Sequence, residues 1–114
     1  AHNNEGLDSL IKYLAEFQSK EPMNIIFGAL KDKPMADMAK RLESYGHQLY
    51  FVPPICPRSP SKEEFANSGI SDRWQWRDSY KQALEECKQD KSHKILVCGS
   101  LYLISEALSV IEGK

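Results

Sequence analysis

The residues best placed to do chemistry are Gly99 and Ser100. An apolar run, Ile95-Leu96-Val97-Cys98, stops at this pair, and a helical pattern starts at once with Leu103, Ile104, Ala107, Leu108 and Ile111 on one face. The glycine permits a tight turn, and the serine hydroxyl can accept a hydrogen bond from an orphan N–H at the helix start. Such a turn aims backbone donors, the positive end of a helix dipole and one hydroxyl at a point past the strand's carboxyl end. Open α/β sheets bind anionic groups there. The same residues also make sense as a helix cap and nothing more.

Other reactive side chains offer less. Three cysteines cannot all pair. Cys98 falls in a strand predicted to be buried and Cys87 on a helix face, which suits a reducing compartment. Cys56 sits in a proline-rich loop and is the one candidate for reactivity. His2, His47 and His93 are far apart in sequence and no C-x-x-C occurs, so no metal-ligand spacing is found and no metal ligand is assigned. His47 follows a helix-terminating glycine and His93 precedes a strand; both read as surface residues. The chain has no G-x-x-x-x-G-K-[ST], no G-x-G-x-x-G after a strand and no nucleophile elbow.

The elements that must position these residues follow from periodicity. Leu7, Leu10, Ile11, Leu14 and Phe17 mark an amphipathic helix ended before Pro22. Met23 to Gly28 reads as a strand, followed by a loop in which Asp32 is expected to cap a helix with Pro34 in its first turn. Met35, Met38, Ala39, Leu42 and Tyr45 mark that helix, and Gly46 is expected to close it in the left-handed conformation. Leu49 to Val52 reads as a second strand. Ser61 and Glu64 are spaced as a capping box, Gly69-Ile70-Ser71 as a brief extended piece. Trp76, Tyr80, Ala83, Leu84 and Cys87 predict one further helix, then a polar linker from Lys88 to His93. The last strand, taken as covered on both faces, completes the set.

Strands alternating with helices over 114 residues predict one α/β domain with a mostly parallel sheet. Parallel pairing puts the loops after all three strands, Gly28 to Lys33, Pro53 to Pro60 and Gly99-Ser100, on one edge. Any ligand is expected there. The net charge is −1 with both signs interspersed, so no basic stripe exists for nucleic acid. No apolar run reaches membrane length and no secretory leader opens the chain, so a cytoplasmic protein with no membrane partner is expected.

Three segments in register carry a family resemblance that spans nearly the whole chain. Ala1-His2-Asn3 resembles the end of an Asp-Gly-Ala-His-Asn-Pro motif, although the Asp-Gly is absent and Asn4 stands in place of the proline. Phe27-Gly28-Ala29-Leu30-Lys31-Asp32-Lys33 and Cys98-Gly99-Ser100-Leu101-Tyr102-Leu103 resemble two further segments of the same domain. That domain is the C-terminal domain of the folylpolyglutamate synthase and dihydrofolate synthase family, within the Mur ligase superfamily.

The resemblance implies a Rossmann-like three-layer sandwich over residues 1–114, a single domain of a larger enzyme, with the family's first strand missing. It implies an ATP-dependent ligase that joins L-glutamate to folate or dihydropteroate through an acyl phosphate. ATP and Mg²⁺ would be bound mainly by an N-terminal ATPase domain, over which this domain closes. His2 and Asn3 would contact nucleotide or the incoming glutamate, and Ser100 would help hold the glutamate carboxylate. Lys31, Asp32 and Lys33 would face the cleft, with no catalytic residue in the fragment itself. Alternatives are another Mur-type amino-acid ligase and a non-catalytic flavodoxin-like or receiver-like module. Strand ends at Gly28, Pro53 and Gly99 lack the acidic cluster a receiver needs.

Overall fold

Met23–Gly28 forms strand β1, and all six of its residues are buried. Alternate residues point to opposite faces, so Ile25 and Phe27 enter one core and Ile26 the other. Only a central strand covered on both sides needs such a run. The description comes from a computed structural model and covers residues 21–99 together with Leu10 and Lys12.

Among the described residues, helix α1 (Met35–Glu43) follows β1, then β2 (Gly46–Phe51), helix α2 (Lys62–Ala66), β3 (Trp74–Trp76), helix α3 (Tyr80–Gln89) and β4 (Ile95–Gly99). The strands form one sheet in the order β3-β2-β1-β4, every pair parallel. On one face α1 packs Met35, Met38, Ala39 and Leu42 against Ile25, Phe27, Leu49 and Phe51. On the other, α3 sets Tyr80, Ala83, Leu84 and Cys87 against Ile26, Tyr50 and Val52. Helices on both faces of a parallel sheet make the expected Rossmann-like α/β sandwich. The helix predicted from Leu7 to Phe17 lies outside the described residues, apart from Leu10, which packs against the first core, and the exposed Lys12.

Local chemistry accounts for several boundaries. The Ser61 hydroxyl accepts from Glu64 N–H while the Glu64 carboxylate accepts from Ser61 N–H, the capping box read from the sequence. Gly99 adopts φ 115°, as the tight-turn expectation required.

Other expectations are corrected. Asp32 does not cap α1; Pro34 takes that position with no side-chain hydrogen bond. Gly46 is not a left-handed helix terminator but the first residue of β2, because Tyr45 O accepts from Met23 N–H and leads the chain straight into the sheet. Trp76 belongs to strand β3, not to the following helix, which begins after Ser79 with its hydroxyl accepting from Gln82 N–H. Phe51 O accepts from Arg77 N–H, and Phe51 lies 6.0 Å from the Trp76 ring, so pairing and aromatic packing overrode a helical spacing. Gly69-Ile70-Ser71 forms no strand: Gly69 ends a turn at φ 88°, and Ile70 and Ser71 have no regular secondary structure. The last strand is not covered throughout: among the described residues β4 pairs with β1 alone, and Ile95 is 36% exposed.

Candidate functional site

Parallel strands bring every loop that leaves a strand to one rim. Gly28 and Gly99 are register partners at the ends of β1 and β4. The loop after β1 is anchored by buried Ala29 and Leu30 and lifts Lys31, Asp32 and Lys33 toward solvent. Arg58 O accepts from Lys31 N–H at 2.8 Å, and the Arg58 guanidinium pairs with the Asp32 carboxylate at 3.2 Å. Asp32 therefore clamps two loops of the rim together. Both partners are more than half exposed, so the pair contributes position more than stability.

Lys31 and Lys33 line an open cleft of about 420 Å³ with Pro34, Met35, Ala36, Asp37, Glu64 and Ser68. The N-terminus of α1 opens into it. With no side-chain cap there, the first-turn N–H groups and the dipole's positive end add to the lysines. Glu64 faces the same cleft, but its carboxylate is held by Ser61 N–H. That hydrogen bond, helped by the Lys31 charge, lowers its pKa below the usual glutamate range. At the sheet's carboxyl end the cleft thus sets two lysines and a helix start beside the carboxylates of Asp37 and Glu64.

On the β3 side of the rim, Arg77 is already engaged. Its guanidinium donates to both carboxylate oxygens of Glu86, to Trp76 O and to Gln75 Oε1, and lies 5.3 Å from the centre of the Tyr50 ring. Arg77 holds the Glu86 carboxyl below its ordinary range, and Glu86 raises Arg77 in return. A carboxyl with a lowered folded pKa stabilises the fold above its unfolded pKa of about 4.3 and loses that contribution as pH falls through the folded value. Glu86→Gln is therefore expected to narrow the stability difference from the parent as urea midpoints are taken from pH 6 toward pH 3 (approximate bounds of the titration window). A difference that stayed constant with pH would remove the ion pair as its cause.

The cysteine expectations stand for two residues. Burial pushes the Cys87 thiol up to about 11 and the Cys98 thiol to about 12, so neither is a nucleophile. Cys56 is free and half-buried. Of the sequence-assigned site residues, Lys31, Asp32 and Lys33 lie together on the carboxyl rim. His2, Asn3 and Ser100 lie outside the described residues; Ser100 follows Gly99 directly in the chain. Arg58 was not anticipated, since its partner Asp32 is far from it in sequence and no local pattern links them.

Among the described residues no group of three His, Cys, Asp or Glu side chains stands on this rim. The rim alone does not fit a divalent cation. No helix among the described residues is long and apolar enough to cross a membrane.

A four-stranded parallel sheet with helices on both faces and its strand-end loops gathered on one rim defines the class: a Rossmann-like α/β domain. Comparison with known proteins finds relatives over nearly the whole chain. The chain is 34% identical over 109 residues to dihydrofolate synthase/folylpolyglutamate synthase of Bacillus subtilis, covering 93% of this chain and 25% of that protein. Against folylpolyglutamate synthase of Lacticaseibacillus casei it is 33% identical over 114 residues, 99% of this chain and 26% of the relative. The Yersinia pestis bifunctional folylpolyglutamate synthase/dihydrofolate synthase, complexed with AMPPNP and Mn ion, superposes with a TM-score of 0.80 at 23% identity, over 98% of this chain and 27% of that one. No family model matches. The chain matches the C-terminal domain of the folylpolyglutamate synthase/dihydrofolate synthase family and spans about a quarter of the length of these relatives.

Proposed function

We propose that residues 1–114 act as the single C-terminal domain of a cytoplasmic, ATP-dependent ligase that joins L-glutamate to folate or dihydropteroate. In this reaction the substrate carboxylate takes a phosphoryl group from ATP, and the glutamate amine then displaces phosphate from the acyl phosphate to form the amide. The chain's contribution is to bind and orient. Lys31 and Lys33, with the start of α1, supply positive potential at the cleft, and Asp32 holds the loop through Arg58. Ser100 helps seat the glutamate carboxylate, and His2 with Asn3 contacts nucleotide or glutamate. ATP phosphates and Mg²⁺ are assigned to an N-terminal ATPase domain, since this sequence carries no phosphate loop and its described rim no ligand cluster.

The observation that carries this reading is the pairing of Gly28 with Gly99, which sets the Lys31–Lys33 loop and the segment leading to Ser100 on the same rim. The similarity to folylpolyglutamate and dihydrofolate synthases supports assigning this chemistry to the rim. In the intact enzyme, Ser100→Ala is expected to raise KM for glutamate severalfold, as loss of a hydrogen bond to a charged group does. Folding stability, followed by thermal melting, should fall by no more than the loss of a helix cap, about 1 kcal/mol. Normal glutamate kinetics with a lowered melting temperature would reduce Ser100 to a cap.

A further inference from the structure

The opposite rim, where the strands begin, gathers a second set of side chains that the ligase reading does not use. His47 is the second residue of β2, Asp90 ends α3, and His93 lies just before β4. The two imidazoles stack face to face, 3.9 Å between centroids and 6° from parallel. Asp90 Oδ2 stands 2.8 Å from His93 Nδ1 and 3.9 Å from His47 Nε2. One donor atom from each of the three residues lies within 4.8 Å of the others.

We propose that His47, Asp90 and His93 form a binding site for one divalent transition-metal ion of the zinc class. Two imidazole nitrogens and a carboxylate oxygen are the donors such ions take, and three protein ligands leave a position for water. Around an ion with bonds of 2.0–2.1 Å, tetrahedral donors stand about 3.3 Å apart. The His47–Asp90 separation has to close by about half an ångström, and the His93–Asp90 contact has to open by as much. His47 is exposed, so its ring has room on the solvent side to leave the stack and bring its lone pair toward the other two.

The surroundings resemble the support that metal ligands need. Asp90 Oδ2 also accepts from Asn24 Nδ2 at 3.2 Å, and Oδ1 accepts from Ser92 N–H at 3.0 Å. Asn24 is only 1% exposed, and its Oδ1 accepts from Gln48 N–H. A buried amide on β1 thus fixes the carboxylate from behind, as outer-shell partners do in metal sites. Bound metal would tie the start of β2 to the connection between α3 and β4.

The test is calorimetric titration of the full chain with Zn²⁺ alone, in millimolar Mg²⁺ to fill sites that prefer oxygen ligands. One Zn²⁺ per chain with a micromolar or tighter Kd is expected, together with a rise in melting temperature. His47→Ala changes an exposed side chain; His93→Gln keeps a polar group of similar reach. Each should melt like the parent without metal, weaken Zn²⁺ binding at least tenfold and lose the metal-induced rise. Co²⁺ should give the intense visible bands of a tetrahedral site in the parent and not in His47→Ala. Absence of Zn²⁺ uptake by the parent, or uptake equal in parent and both variants, overturns the proposal. The outcome is independent of the ligase reading, because neither glutamate nor nucleotide enters the measurement.

Discussion

Gly99→Ala is expected to destabilise the domain by about 4 kcal/mol, near the whole stability of a marginal fold. Two costs combine. The residue sits at φ 115°, where an L side chain is strained, and an added Cβ would lie 1.9 Å from Gly28 O and 2.9 Å from Gly28 C. Those atoms are backbone of the central strand and cannot rotate away, so β4 would have to separate from β1. Gly69→Ala is the control. Gly69 is also left-handed, at φ 88°, but its added Cβ would meet only Ala36 Cβ at 3.8 Å. Its cost should be the backbone strain alone, about 1 kcal/mol. Urea denaturation of the two variants side by side measures the difference. Equal midpoints would show that the approach of β4 to Gly28 is looser than described.

The functional counterpart is reversal of the two cleft lysines. Lys31→Glu combined with Lys33→Glu is expected to lower kcat/KM of the intact ligase at least tenfold, a loss of about 1.4 kcal/mol in transition-state stabilisation. Both side chains border the cleft at the start of α1, and neither is in either buried core. The melting temperature should therefore stay near that of the parent. The deficit should shrink as salt is added, because exposed charges act through a screened field. Arg58→Ala provides the contrast: it frees Asp32 and loosens the loop while leaving both lysines in place, so its effect should be smaller and largely insensitive to salt. Unchanged kinetics in the double reversal would remove this cleft from the active centre.

These expectations draw on two kinds of information. The sequence by itself determined what is written over a few residues: the unbroken apolar run of β1, the stripe of Met35, Met38, Ala39 and Leu42, the Ser61–Glu64 box and the glycine at the end of β4. From alternation of such signals came parallel pairing, and from parallel pairing the single rim that carries Lys31, Asp32 and Lys33. Local periodicity is a property of the backbone's own repeat, so it is legible before the chain folds.

Only the tertiary structure decided the rest. Trp74-Gln75-Trp76 is too short to show a strand period, and it became one because β2 and the rings of Phe51 and Phe65 offered an edge to pair and pack on. Asp32 left its expected capping place for an arginine 26 residues away. Gly46, which looked like a helix terminator, was drawn into the sheet by a hydrogen bond from Met23 to its neighbour. His47 and His93, too far apart in sequence to suggest a ligand pair, were stacked by the register of β2 and the turn ahead of β4. Pairings of this kind are chosen by which surfaces folding brings together, and no spacing within a single segment encodes that choice.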